Sequence, residues 1–264
     1  MPSAMSERPR LRFTVLGSGT SSGIPTISCD CPTCISDDPR DKRLRCSLLV
    51  QSPTTTVVID TSPDFRQQML RACVKKLDAV VYTHHHFDHI GGFDDIRAFN
   101  YTSRRPMRIF LNENTFKELK RTFVYAFEPP EQMGGGVPVT EVNIIDDDNL
   151  YIGDIAVEPL GLMHGRLEVL GFRIGNLAYC TDTNLIPDDV IQKIRDVDVL
   201  IIDALRYTPH STHFNIEQAI GVSRKINAGR TYLTHIAHQI KHSDCESELP
   251  GNIRIAYDGL VIDL

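Results

Sequence analysis

Long hydrophobic runs are absent from this sequence. A membrane-spanning helix needs about 20 consecutive apolar residues, and no segment of the 264-residue chain approaches that length. The first ten residues, MPSAMSERPR, are polar and do not include the apolar core of an export signal. We therefore expect a flexible tail over residues 1–10 and a cytoplasmic protein that makes no membrane contact.

Basic runs are also absent. The chain has 28 Lys and Arg against 34 Asp and Glu, which gives a net charge of −6 at pH 7. Proteins that bind nucleic acid usually present a basic face, so nucleic acid is not an expected partner. The negative balance places no such restriction on small substrates that carry phosphate.

Neither a long low-complexity linker nor an internal repeat divides the chain. A length of 264 residues, with 41% hydrophobic and 23% charged residues, suits one folded domain, which we place over residues 1–264. The Pro- and Gly-rich stretch FEPPEQMGGGVP, residues 127–138, predicts a surface loop between two halves of that domain.

Short runs rich in Val and Ile recur in both halves and predict strands. They are LRFTVLG, SLLVQS, TTVVID, LDAVVYT and MRIFL, followed by IAVEPL, VDVLIID, TYLTHI and IRIAYDGLVIDL. Helical spacing occurs between them in SPDFRQQMLRAC, NENTFKELKRTFVYAF, PDDVIQKIRD and NIEQAIGVSRKIN. The mixture predicts an α/β fold in which helices pack outside β-sheets.

The stretch THHHFDHIGG, residues 83–92, holds four of the ten histidines. It follows a predicted strand, and loops at strand ends commonly carry functional sites. His84 and His86 alternate and would point the same way in extended backbone, while Asp88 and His89 follow at a turn. Imidazole and carboxylate suit divalent Zn, Fe and Mn. A solvated polar loop is the alternative, since a metal also needs ligands from elsewhere.

The His-x-His-x-Asp-His pattern resembles that of the metallo-β-lactamase superfamily. Three further residues of the superfamily pattern follow in the expected order: His164 in GLMHG, Asp182 in YCTDTN and His235 in LTHIAH. The resemblance implies an α/β fold of the αββα sandwich type, with two central mixed β-sheets flanked by helices. It also implies two divalent metals at the active site, with Mn, Zn and Fe as the candidates.

The resemblance divides the ligands between the two cations. His84, His86 and His164 hold one, Asp88, His89 and His235 hold the other, and Asp182 bridges them. A carboxylate suits this position because its two oxygens can join cations about 3.5–4 Å apart. Asp60, which ends VVID, matches the superfamily's buried aspartate behind the His loop and is expected to orient ligands. A simple helix cap is the alternative for Asp60.

A second cluster lies in CDCPTC, which contains Cys29, Cys31 and Cys34. In a cytosolic chain this spacing indicates metal more than disulfides, and three thiolates need a fourth ligand for tetrahedral zinc. With His238 in LTHIAHQ, the cluster resembles the PhnP-like phosphodiesterases of the phosphonate pathway. That resemblance implies one structural zinc bound by these three cysteines and His238. Buried or redox-active cysteines are the alternative.

The PhnP-like resemblance also implies a reaction, the hydrolysis of small, often cyclic, phosphodiesters by a hydroxide that bridges the two metals. It assigns catalytic roles to Asp88 and to His213 in HSTHFNIEQA, which would protonate or stabilise the leaving oxygen. A surface histidine is the alternative for His213. The loop GSGTSSG, Gly17–Gly23, is only a weak phosphate-loop candidate because no GK[ST] follows it. A homodimer is a common assembly in this family.

Two other functions are compatible with the same metal motif. A transfer-RNA 3′-processing nuclease has a related metal core, but it uses a long arm to grip RNA, and the sequence shows neither an obvious arm nor a basic cluster. An accessory or binding protein similar to the cofactor-synthesis protein PqqB is the second. Retention of all seven metal ligands favours an active enzyme over an inactive site.

Overall fold

The structure is a computed structural model that describes residues 10–128, 136–146 and 148–264. The runs rich in Val and Ile form strands, as their β-branched side chains favour. In the first half these are β1 (Arg12–Gly17), β2 (Ser47–Gln51), β3 (Thr56–Ile59), β4 (Ala79–Val81), β5 (Met107–Leu111) and β6 (Thr140–Ile144). In the second half they are β7 (Leu150–Ile152), β8 (Ile155–His164), β9 (Leu167–Ile174), β10 (Leu177–Cys180), β11 (Val199–Asp203), β12 (Arg230–Thr234), β13 (Ile253–Ile255) and β14 (Val261–Asp263).

The strands form two seven-stranded sheets, and each sheet is built from one half of the chain except that the last strand, β14, joins the first sheet. The first has the order β14-β1-β2-β3-β4-β5-β6 and the second the order β13-β12-β11-β10-β9-β8-β7. Both are mixed, because β3 to β6 and β10 to β13 run parallel while the other neighbours are antiparallel. Parallel strands bring their carboxyl ends to one edge of each sheet, and the loops that follow them can therefore meet.

Helices cover the outer faces of the two sheets. They are α1 (Phe65–Arg71), α2 (Phe87–Ile90), α3 (Arg97–Ser103), α4 (Glu113–Thr122), α5 (Val124–Phe127), α6 (Asp188–Lys193), α7 (Ile216–Ile226) and α8 (His242–Glu248). No described helix has the length and hydropathy that crossing a bilayer requires; the longest, α7, has 11 residues.

Three groups of buried side chains hold these layers together. The central group lies between the sheets and includes Phe13 of β1 and Phe172 of β9. A second joins the first sheet to its helices through Phe65 and Leu119, and a third joins the second sheet to α6 and α7 through residues such as Val190. The layer order is therefore helix, sheet, sheet, helix, which confirms the predicted αββα fold class.

The structure contains elements that the sequence runs did not predict, among them the strands β6, β7 and β9 and the helices α2, α3 and α8. It also differs from the predicted elements in two other places. The helix expected over residues 112–127 is interrupted at Phe123, whose backbone (φ −116°, ψ 48°) is not helical. The run IRIAYDGLVIDL forms one strand in each sheet, because a turn at Gly259, with φ +92°, directs the chain from the second sheet back to the first. The expected tail falls on residues 1–9, and most of the Pro- and Gly-rich break falls on residues 129–135; both lie outside the described residues.

Candidate metal centre

The candidate ligands occupy strand ends that meet at one edge of the sandwich. Asp60 directly follows β3, His164 ends β8 and His235 directly follows β12. Asp60, Asp182 and His235 all have left-handed backbone, with φ of 65°, 50° and 58°. L-residues rarely adopt this conformation, which is often found at functional sites. Here it turns the chain after each strand, so that Asp182 and His235 face each other while Asp60 faces the ring of His89 from behind.

The first ligand group consists of His84, His86 and His164, whose candidate donor atoms all lie within 4.8 Å of one another. The Nε2 of His84 and the Nδ1 of His86 are 3.0 Å apart. The Nδ1 of His164 lies 2.7 Å from the backbone carbonyl of Thr212 and donates its proton there. The Nε2 of His164 is then left with a lone pair, which a metal could use.

The second group consists of Asp88, His89, Asp182 and His235, again with donor atoms within 4.8 Å of one another. Asp88 contacts the Nε2 of His89 at 3.4 Å and the Nε2 of His235 at 3.6 Å. Burial acts to raise the pKa of Asp88, but His89 and His235 lower it well below its usual range. The residue therefore presents an ionised carboxylate.

Asp182 lies between the two groups. Its Oδ2 is 3.3 Å from the Nε2 of both His89 and His235 and 3.9 Å from the Nε2 of His84. Its Oδ1 accepts a hydrogen bond from the hydroxyl of Thr181 at 2.8 Å. The same oxygen therefore faces both groups, so Asp182 lies where it could be shared by two cations.

The chemistry of these residues fits divalent cations. The Nε2 atoms of His89 and His235 are buried and have no hydrogen-bond partner among the described residues, although such nitrogens normally have one. Burial would lower the pKa of His235, yet the nearby carboxylates raise it to about 9. The pKa of His89 is raised in the same way, with Asp182, Asp88 and Asp60 outweighing burial. This buried excess of negative charge is what a bound cation would offset.

Asp60 lies directly behind His89. Its Oδ2 accepts the Nδ1 proton of His89 at 2.7 Å and the hydroxyl proton of Thr83 at 2.8 Å, and its Oδ1 accepts the Thr83 backbone N–H at 2.8 Å. The contact fixes the tautomer of His89 and directs Nε2 towards the candidate centre. The N-cap of α1 is Asp64, not Asp60, so the helix-cap alternative does not describe where Asp60 lies.

His213 lies against both ligand groups. Its ring centroid is 4.6 Å from that of His164 and 4.7 Å from that of His235, with which it is nearly parallel. Its Nδ1 donates to Oδ2 of Asp203 at 2.7 Å. The residue is only 8% exposed, so it is not a solvent-facing histidine.

Asp203 is the residue whose contacts sequence reasoning missed. It ends β11, is fully buried and accepts hydrogen bonds from His213 and, at 2.9 Å, from the Thr183 backbone N–H. One signal could have identified it: Asp203 ends VDVLIID in the second sheet much as Asp60 ends TTVVID in the first. Each aspartate orients one histidine of the candidate centre.

The three cysteines of CDCPTC lie around His238. The Nδ1 of His238 is 3.2, 3.6 and 3.7 Å from the Sγ atoms of Cys29, Cys31 and Cys34. Zinc at about 2.3 Å from sulfur and 2.1 Å from nitrogen in a tetrahedron would place these atoms about 3.6 Å apart. The Cys34 backbone N–H lowers the pKa of Cys31 to about 7, which favours the thiolate that zinc requires, whereas burial raises the pKa of Cys34 to about 11. It is therefore the geometry of the four residues that supports a zinc site.

The Gly17–Gly23 loop packs against the segment that carries His235. Thr20 donates its N–H to the carbonyl of Ile236 at 3.0 Å, and Ile236 donates to the carbonyl of Ser18 at the same distance. A Cβ on Gly17 would overlap the carbonyl of Arg45, so close backbone packing explains this glycine without a phosphate. Contact between this loop and a substrate stays a prediction.

Comparison with known proteins identifies the family to which the chain belongs. The family model described as the beta-lactamase superfamily domain matches residues 55–236. A curated protein of Porphyromonas gingivalis named octanoyltransferase is 38% identical over 254 residues, which cover 95% of this chain and 51% of that protein. The chain thus spans about half the length of that relative. Coenzyme PQQ synthesis protein B of Methylobacterium radiotolerans is 24% identical over 222 residues, covering 73% of this chain and 72% of that protein.

A solved structure gives the more specific match. The crystal structure of a diphosphatase from the PhnP family superposes with a TM-score of 0.90 at 40% identity, and the match covers 97% of both chains. This likeness confirms the resemblance to PhnP proteins inferred from the cysteine and histidine motifs. The chain therefore belongs to the metallo-β-lactamase superfamily and, within it, to the PhnP family.

Proposed function

We propose that this protein is a metal-dependent phosphodiesterase that hydrolyses small phosphodiesters. The observation that carries the proposal is the convergence of two ligand groups on one oxygen of Asp182, with His213 beside both. Two divalent cations bound there would activate a water molecule and offset the negative charge of the phosphoryl oxygens. The PhnP-family diphosphatase, which also acts on a phosphorus centre, supports this substrate class.

His213 is assigned to the leaving oxygen. Its Nδ1–H is held by Asp203, so its other ring nitrogen is the one that can give a proton to an alkoxide. The Asp203 carboxylate keeps the ring in this orientation and stabilises positive charge on it, a role that carboxylates serve for other catalytic histidines. Because the contact is buried, water does not compete for the Asp203 oxygens.

The remaining residues orient the histidine ligands, contact the attacking water or bind the structural zinc. Asp60 and the carbonyl of Thr212 fix the tautomers of His89 and His164, so both Nε2 atoms face the centre. Asp88 presents its carboxylate at the partly open side of the second group, where it could accept a hydrogen bond from the attacking water. We assign Cys29, Cys31, Cys34 and His238 to one structural zinc.

Acyl transfer is less well supported than phosphodiester hydrolysis. The octanoyltransferase name belongs to a protein about twice as long, of which this chain matches 51%, and the other half could carry that activity. Cys46 and Cys180 are the thiols close to Asp182 in the described structure, and both are at most 1% exposed, so a substrate does not reach their sulfur atoms. Such a thiol is a poor nucleophile, so an octanoyl thioester serves as a comparison substrate.

The proposal is tested with bis(p-nitrophenyl) phosphate and protein loaded with Mn or Zn. The wild type should hydrolyse the ester faster than it hydrolyses an octanoyl thioester, and its metal content should match two active-site cations and one zinc. Asp182→Ala should lower the active-site metal content and reduce hydrolysis to background while circular dichroism shows an unchanged fold. Asp189→Ala, which removes an exposed carboxylate on α6, should change neither quantity.

Three results would contradict the proposal or one of its parts. A fully active Asp182→Ala protein that keeps both cations would show that Asp182 is not a ligand of the centre. A correctly loaded wild type that cleaves no phosphodiester, diphosphate ester or precursor transfer RNA would favour the accessory role of the PqqB-like alternative. Cleavage of precursor transfer RNA in preference to small esters would favour the nuclease alternative.

A further inference from the structure

Phe87 is an exposed aromatic residue inside the candidate metal motif. It lies between His86 and Asp88, each a candidate ligand, at the first position of α2. Its side chain is 61% exposed, whereas Phe13, Phe65, Phe93 and Phe172 are at most 1% exposed. A large apolar side chain in water gives up the stabilisation that burial would bring. Core packing therefore does not explain this residue.

The surroundings of Phe87 hold one edge of its ring in place. A Cβ on Gly91 would lie 2.9 Å from the Cε1 of Phe87 and 2.8 Å from the Cγ of Pro63. Any side chain at position 91 would thus displace the ring. Glycine lets Phe87 rest against the backbone of α2 while most of the side chain is exposed to solvent, one residue away from a candidate ligand on either side.

We propose that Phe87 determines substrate specificity by stacking on a flat ring, of the nucleobase class, in the ester group of the substrate. The inference rests on the proposed phosphodiesterase function. A phosphate that reaches the ligands on either side of Phe87 would carry its ester group past this ring. A ring anchored at one edge pays little conformational entropy when it stacks, and stacking accepts any base because every base has a π-face.

The kinetic test uses three esters with the same leaving group: methyl, cyclohexyl and phenyl p-nitrophenyl phosphate. Cyclohexyl and phenyl have the same number of carbons, but only phenyl is flat. Phe87→Ala should raise KM for the phenyl ester on the order of 5- to 100-fold and leave KM for the other two esters nearly unchanged. Phe87→Tyr should keep the wild-type KM. Tyr151→Ala, at a residue 70% exposed on β7, is the matched control and should change none of the three.

A binding measurement gives a second readout that does not depend on turnover. Adenosine 5′-monophosphate and ribose 5-phosphate differ by the base, and calorimetry should show tighter binding of the first to the wild type. Phe87→Ala should abolish that preference without changing metal content, and Phe87→Tyr should retain it.

Three results would overturn the assignment of Phe87. They are equal KM changes for all three esters, a loss for the cyclohexyl ester as large as for the phenyl ester, and an undiminished preference for the nucleotide in Phe87→Ala. If the wild type hydrolyses none of the esters, the proposed function has failed. The calorimetric comparison then still decides whether Phe87 contacts a base.

Discussion

At the scale of single residues, two buried carboxylates orient the histidines of the candidate centre. Asp60 holds His89 and Asp203 holds His213, each through a contact of 2.7 Å to Nδ1. In both cases the hydrogen bond to Nδ1 leaves Nε2 available, for metal binding in His89 and for proton transfer in His213. A histidine without such a partner could rotate or change tautomer, so these aspartates matter even though they do not reach the substrate.

His213→Ala should separate catalysis from metal binding. His213 belongs to neither ligand group, so the variant should keep the wild-type metal content. Loss of a general acid typically lowers the rate about 10²–10⁴-fold. The loss should be larger for a cyclic ribosyl phosphate than for a p-nitrophenyl ester, because a sugar alkoxide needs a proton and p-nitrophenolate does not. Steady-state rates on both substrates measure the difference.

Asp203→Asn provides the companion variant. It keeps the shape of the side chain but weakens the orientation of His213, so it should show a smaller loss with the same dependence on the leaving group. Equal losses on both esters would indicate that His213 stabilises charge or positions substrate. Unchanged rates with metals bound would show that the catalytic assignment of His213 is wrong.

At the scale of elements, the loops that follow the strands carry the chemistry, and distant segments hold them. The CDCPTC loop contacts His238, three residues after His235, so a zinc there would fasten the loop behind β12 to the segment behind β1. The fully buried Arg43 makes a second connection between the same segments: it donates to Ser18, which follows β1, and contacts Nδ1 of His242 at 3.0 Å. The cysteine cluster and Arg43 therefore both hold the segment after β12 in place.

Cys31→Ala should remove the zinc and lower thermal stability. Loss of a structural metal belongs with the largest single-residue effects, about 4 kcal/mol or more, which corresponds to roughly 10 °C in Tm for a protein of this size. Metal analysis should show about one zinc fewer per chain. Cys73→Ala, at an exposed thiol outside the cluster, should leave both values unchanged, whereas unaltered zinc content in Cys31→Ala would refute the site.

His242 should make the protein less stable in mild acid. Burial, followed by the charges of Arg43 and Arg40, lowers the pKa of His242 to about 4 in the folded protein, while an unfolded histidine titrates near 6.5. Between these values the unfolded chain binds a proton that the folded chain does not, so stability is lost as pH falls from about 6.5 to 4.

His242→Gln removes this titration while keeping an acceptor for Arg43. Urea midpoints at pH 7.5 and pH 4.5 should therefore differ less in the variant than in the wild type. Protonation of the cysteine cluster affects both proteins and cancels in the comparison. An identical pH dependence in the two proteins would show that His242 does not contribute.

At the scale of the whole molecule, the candidate centre joins the two sheets. His84, His86, Asp88 and His89 follow β4 of the first sheet, whereas His164, Asp182 and His235 lie at the ends of β8, β10 and β12 in the second. Bound cations would therefore cross-link the two halves of the sandwich. Ligands that bind only the folded state stabilise it by mass action.

Removal of the metals should lower the stability of the entire sandwich. A free cation at 100 times its Kd contributes about 2.7 kcal/mol per site, so loss of both cations of the dinuclear site by dialysis against chelator should reduce Tm by roughly 10–20 °C. Cys31→Ala should still respond to chelator through the dinuclear site, and Asp182→Ala should respond less than the wild type. Equal Tm before and after verified metal removal would contradict a cross-linking role.

The sequence by itself predicted most of the strands and an α/β fold, and its resemblance to the metallo-β-lactamase superfamily implied the layer order and the candidate ligands. Periodicity and residue type report local preference, and the spacing His-x-His-x-Asp-His places four ligands within one loop. The sequence could not show which residues form hydrogen bonds with the remaining histidines of the centre, or in which half of the chain those residues lie. The contacts of Asp203 and of the Thr212 carbonyl depend on the path of the loop after β11, which brings His213 back to Asp203 and Thr212 to His164 at the end of β8.

Tertiary structure also decided where the final strands go and which oxygen of Asp182 faces the centre. The run IRIAYDGLVIDL has one pattern, but its two strands belong to different sheets because pairing partners, not propensity, select a strand's place. The orientation of Asp182 depends on its left-handed backbone and on the Thr181 hydroxyl. The strand pairing arises from contacts between distant segments, and the positive φ of Asp182 is a backbone property that its residue type does not predict.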